Sequence, residues 1–99
     1  MNRGERLLRC TEANYVSLVS ELAADLGQIG DQESRDILIV AMSISTEFRT
    51  ALAILHGSGI QLTEQELRTF GRRCKNPTIR AYVGIHNWLN NVDGMLLTI

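Results

Sequence analysis

Apolar residues recur along this chain at steps of three and four, the spacing of helices that each bury one face. Tyr15, Val19, Leu22, Leu26 and Ile29 step by 4, 3, 4, 3, with Leu8 one heptad earlier on the same face. They predict a first helix over about 5–27, with Gly27 and Gly30 as its stop. Thr11 is a candidate N-cap, and a start near Gly4 is the alternative. Ile37, Ala41, Ile44, Phe48, Ala51 and Leu55 continue the stepping and predict a second helix over about 32–56. The run ILIV at 37–40 is β-branched enough for a strand, but a strand rarely extends as far as this seam does. Asp31 or Ser34 can cap the helix, and Gly57 can end it. Leu38, Met42 and Leu52 add apolar surface away from that seam. A helix apolar on more than one side is central or shared with another subunit, so these three are the expected oligomer interface.

The strongest local signal lies at 62–80. Thr63 and Glu66 have the spacing of a capping box, with Leu62 and Leu67 placed for a hydrophobic staple. They open a third helix over about 64–75, whose buried face is Leu67, Phe70 and Cys74. Asn76-Pro77 then reads as an N-cap followed by proline in the first turn, starting a fourth helix over about 77–93. Ile79, Tyr82, Ile85 or His86, Leu89 and Val92 would share its buried face, and Asp93-Gly94 would stop it. The tail Met95–Ile99 is apolar and must pack somewhere. The pattern gives an all-α, single-domain bundle of about four helices that self-associates as a dimer or higher.

Composition changes this picture little. Net charge is −1, which gives no global attraction to nucleic acid or membrane. The local balance differs, because between Leu67 and Arg80 there are five cations and no acid. Arg68, Arg72 and Lys75 recur at i, i+4, i+7, with Arg73 and Arg80 beside them. Such a stripe is a solvated face, a contact for an acidic protein surface, or a contact for phosphates. Trp88 and Tyr82 are of the residue types that anchor interfaces. The N-terminal MNRGERLLRC lacks the apolar core of a signal peptide, and the longest apolar run is Ile37 to Met42. Cys10 and Cys74 form neither a disulfide framework nor a zinc pattern. A soluble, cytoplasmic protein is expected.

Chemistry-bearing motifs are sparse. The chain has no P-loop, GxGxxG, HExxH or GxSxG. Gly57-Ser58-Gly59 lacks the lysine and the following helix that a phosphate cradle needs. His56 suits a helix C-terminus, and a Cys74–His86 pair would lack an orienting group and an oxyanion hole. Asp25, Asp31, Glu33 and Asp36 gather at a helix junction, where capping accounts for them. No enzyme activity, metal or cofactor is therefore expected. Ser34-Arg35-Asp36, opening a long helix after a short turn, resembles small helical oligomeric phage proteins that sequester cyclic nucleotides. That resemblance spans three residues and a helix boundary, and implies nucleotide binding by an oligomer. The residues favour a small non-enzymatic inhibitor, adaptor or regulator, of the kind carried by phages or mobile elements, that occupies a protein partner. Its contact set would be Arg68, Arg72, Arg73, Lys75, Arg80, Tyr82 and Trp88. The alternative is a nucleic-acid or cyclic-nucleotide binder using the same cations.

Overall fold

Thr63 and Glu66 form their capping box as the spacing requires: the Glu66 amide donates to the Thr63 hydroxyl at 3.1 Å, and the Thr63 amide donates to the Glu66 carboxylate at 2.9 Å. This is a computed structural model, and it describes the backbone of residues 1–97 and the side chains of residues 1–91. The described residues are helical with no strand: α1 Arg3–Glu12, α2 Val16–Ile29, α3 Gln32–Ile44, α4 Phe48–Ser58, α5 Glu64–Arg73 and α6 Pro77–Leu97. The all-α class holds, but there are six helices among those residues where the seams predict four.

Both extra breaks fall inside runs where the apolar spacing continues. The first is at Ala13–Tyr15, where Asn14 turns left-handed at φ 58° and the Tyr15 amide reaches back to the Cys10 carbonyl. Asparagine tolerates that conformation better than most residues, and the Thr50 hydroxyl donates to its side chain at 2.7 Å. Thr11 is therefore no N-cap; it lies inside α1 and donates to the Leu7 carbonyl, while Asn2 caps the helix. The second break is at Ser45–Glu47. Ser43 and Ser45 donate to the carbonyls of Ile39 and Ala41, and Ser45 goes extended. Hydroxyls that compete for backbone partners weaken a helix from within.

Asp31 caps α3 by accepting from the Ser34 amide at 2.8 Å, and Asn76 caps α6 by accepting from the Thr78 and Ile79 amides. The Asp93-Gly94 stop is not taken, since α6 continues to Leu97. The packing expected of the Met95–Ile99 tail lies outside the described side chains.

The core is built from Leu7 of α1, Val19, Leu22 and Leu26 of α2, Leu38 and Met42 of α3, Ile54 of α4, Phe70 of α5, and Ile79 and Val83 of α6. Helix α4 packs closely on α2, α3 leans on α4 and α5, and α6 rests on α4 and α5. The radius of gyration of 13.0 Å is that of a compact body, for which about 13 Å is expected at this length. Leu38 and Met42 are 1% and 0% exposed, so they cannot form the expected oligomer interface; only Leu52, half-buried, retains some surface. Leu38 and Met42 are covered within one chain, where α3 packs against α2, α4 and α5.

Candidate interaction surface

The C-terminal turn of α5 places Arg72 and Arg73 in solvent, and the connection to α6 places Lys75 beside them. Cations here complement the carbonyl end of α5. The segment does not present all five as one free stripe. Arg68 is paired to Glu64 across one turn at 2.6 Å. Arg80 donates to the Cys74 carbonyl at 3.2 Å, pinning the turn between α5 and α6. Arg72 donates to the Thr69 hydroxyl at 3.4 Å. Among the described residues, Arg72, Arg73, Lys75 and Arg80 have no carboxylate within ion-pair distance. Arg73 and Lys75 line a groove of about 620 Å³ with Asn76, Pro77 and the segment Ser43 to Thr46 at and just after the end of α3. No acid among the described residues lines it.

Arg73 also lines a second groove of about 450 Å³, between α3 and α5, in which Arg35 and Glu66 meet. The Arg35 guanidinium grips Glu66 with two bonds of 2.6 and 3.1 Å and donates to the Gln61 carbonyl at 2.7 Å. That grip, helped by the Thr63 amide against the cost of burial, holds the Glu66 carboxyl down at about 2, far below its ordinary 4.5. Arg35 is thus spent on joining α3 to the capping box of α5, and Ser34 is buried. The Ser34-Arg35-Asp36 resemblance therefore rests on residues with internal partners.

Tyr82 and Trp88 part company in the structure. Tyr82 is half-buried at the α4–α6 contact, where its ring meets Phe48 edge-on at 5.2 Å and its hydroxyl lies 3.1 Å from His56 Nε2. The His86 ring stacks on Tyr82 at 6.1 Å and meets the His56 ring edge-on at 5.2 Å, and its Nδ1 lies 3.4 Å from the Asn90 amide. Tyr82 thus anchors α6 to its own body. Trp88, about 120° round α6 from Tyr82, stands in solvent. Asn87 is buried and accepts from the Leu62 amide at 2.9 Å, stitching α6 to the start of α5, so its amide is turned inward and not toward a ligand.

Cys74 is buried with its thiol directed to the Asn76 carbonyl, so it is no nucleophile poised toward a substrate. Gly57 and Ser58 lie inside α4, and Gly59 is its left-handed cap. No cluster of three potential metal ligands occurs among the described residues. No described helix is long and apolar enough to cross a membrane.

The His86 ring is pushed below the ordinary 6.5 by burial and by the neighbouring His56. The folded state then holds the neutral ring, and the unfolded chain takes up the proton more readily. Stability from this contact is complete above about pH 6.5 and falls as the pH drops below it. An NMR titration is expected to place the His86 midpoint under 6.5; a midpoint at or above it would contradict this packing.

Comparison with known protein families, curated proteins and solved structures found no match to the chain.

Proposed function

We propose that this chain is a small, non-enzymatic, cytoplasmic binding protein that acts as an inhibitor, adaptor or regulator by occupying an acidic surface of a protein partner. The observation that carries this is the corner where α5 meets α6: among the described residues, four cations there have no carboxylate partner, and two of them line a groove to which no acid contributes. Complementary charge there would speed association and select the partner. The free thiols Cys10 and Cys74 suit a reducing compartment.

The same cations support a second reading, a contact for nucleic-acid or nucleotide phosphates. The two separate by salt and by nuclease. Phosphate contacts give a log–log slope of about −0.7 to −0.9 per phosphate.

The test is affinity capture from native host extract with wild type beside an Arg73→Glu, Lys75→Glu double variant, with and without nuclease. Arg68 is a poorer choice because Glu64 already neutralises it. The expected result is one protein recovered in stoichiometric amount, insensitive to nuclease, and reduced at least tenfold by the double variant. Recovery that vanishes with nuclease would transfer the corner to the second reading. Equal recovery by the double variant would remove it from both.

A further inference from the structure

On a helix of 3.6 residues per turn, Ile79, Val83 and Asn87 of α6 fall on one side and Ala81, Ile85 and Trp88 on the other. Burial follows this division: the first three are buried against α4 and α5, and the second three are exposed. The expected assignment of Ile85 and Leu89 to the body face is therefore reversed, with Val83 and Asn87 in their place. Ile85, Trp88 and Leu89 are 59%, 62% and 47% exposed. From Ala81 through Val92 the sequence holds no Lys, Arg, Asp or Glu. A helix face turned to water is normally charged. Here three turns of it are not.

We infer that the outer face of α6 is the docking surface for a second copy of this chain, with the two α6 helices antiparallel. Three observations favour that occupant. The first is stepping. Ala81, Ile85 and Trp88 advance by 4 and 3, which is the stepping of a paired-helix seam. An antiparallel register that sets Ile85 of one copy against Trp88 of the other forms that large–branched pair twice, as two-fold symmetry requires. Gly84 flanks the seam with no side chain to hold the helices apart, and a Cβ built there would meet nothing.

The second is charge. A two-fold contact turns each patch upon itself, so any net charge within it would face its own like. This face has none, whereas the cations of the α5–α6 corner stop at Arg80. The third is area. With areas of roughly 150–250 Å² each, the three exposed residues leave on the order of 250–420 Å² bare on one copy. That is about a third to a half of the ~800 Å² per partner that a standard interface buries, so flanking residues complete the contact and the dimer is a weak one. The surface goes beyond the partner contact proposed above and does not depend on it. In the stated register the two copies of Arg80 lie about 20 Å apart along the helices, which would present the cationic corner twice.

Sedimentation equilibrium from low to high micromolar concentration, in reducing buffer so that Cys10 cannot cross-link, tests this. The mean mass is expected to rise from the 11.1 kDa of one chain toward twice that. Trp88 is the only tryptophan, so its emission should move to shorter wavelength over the same range. Ile85→Glu and Trp88→Glu should each weaken association at least tenfold with unchanged helical circular dichroism, while Arg73→Glu leaves it intact. A wild type that keeps the mass of one chain throughout overturns the inference, as does a folded Trp88→Glu that still dimerises. Should the variants fail to fold, the wild-type emission decides alone: a rising mass without a shift places the interface elsewhere.

Discussion

Gly27→Ala is expected to destabilise the protein by about 3 kcal/mol, enough to lower the melting midpoint by on the order of 15 °C. A Cβ at position 27 would stand 2.3 Å from the Ser58 carbonyl oxygen and 3.0 Å from that residue's carbonyl carbon and Cα. These are backbone atoms, which cannot rotate away as a side-chain tip would. Helix α2 presents Ser20, Ala23 and Gly27 along one side, and this run of small residues lets α4 approach until backbone meets backbone. The approach is reciprocal, for a Cβ on Gly57 would meet the Ser20 carbonyl at 2.9 Å. Gly57→Ala should cost less, about 1–2 kcal/mol, because part of its contact is the Ser20 hydroxyl. Gly71 sits in α5 with nothing near its missing Cβ, so Gly71→Ala should stabilise by about 0.5–1 kcal/mol through helix propensity alone. Urea unfolding of the three variants checks the set. A Gly27→Ala protein as stable as wild type would mean that α2 and α4 are not packed at this distance.

Those glycines show where sequence reasoning succeeds and where it misleads. At 27 and 57 glycine looks like a helix stop, since conformational freedom is its commoner use. Both positions are helical, and the actual left-handed caps are Gly30 and Gly59. Absence of a side chain serves two purposes, and only a neighbouring helix distinguishes them.

Local chemistry is legible in the sequence. The Thr63–Glu66 box, the Asp31 cap and the Asn76-Pro77 restart each depend on atoms within four residues, and each forms. The two breaks are not legible, because a seam of period 3.5 records which face is apolar and continues across a bend. Asn14 and the Ser43/Ser45 hydroxyls hold the missing information, in conformational preferences that apolar spacing ignores. At the candidate site the cations are legible as a cluster, but their partners are not. Arg68 can be assigned to Glu64 from its i,i+4 spacing, whereas Arg80 turns back on Cys74 through geometry set by the turn itself. Trp88 can be recognised as an anchor type. Which side of α6 it occupies depends on the helix's phase, which Val83 and Asn87 fix by burial.

Glu66→Gln is expected to lower stability by about 2–3 kcal/mol at neutral pH, a loss that disappears in acid. The two partners of the ion pair are separated by 31 residues, and their side chains are 27% and 12% exposed, so water screens the contact only partly. The sign follows from the carboxyl's two environments. Folded, it is held at about 2 by Arg35; unfolded, it returns to about 4.5. Between those values the unfolded chain binds the proton that the folded one refuses, so the contribution is complete above about pH 4.5 and is lost as the pH falls toward 2. The interval corresponds to at most about 3.4 kcal/mol, and the partial exposure trims it. The amide introduced by Glu66→Gln would keep one acceptor for the Thr63 N–H, so the capping box is weakened less than the ion pair. Denaturant unfolding at pH 7 and pH 3 should therefore give a large wild-type advantage at the first and a much smaller one at the second. An Arg35→Met variant should reproduce the pH dependence of Glu66→Gln, because either substitution abolishes the same pair. Equal losses at both pH values would instead assign the effect of Glu66 to side-chain packing and deny the ion pair its part in fastening α5 to α3.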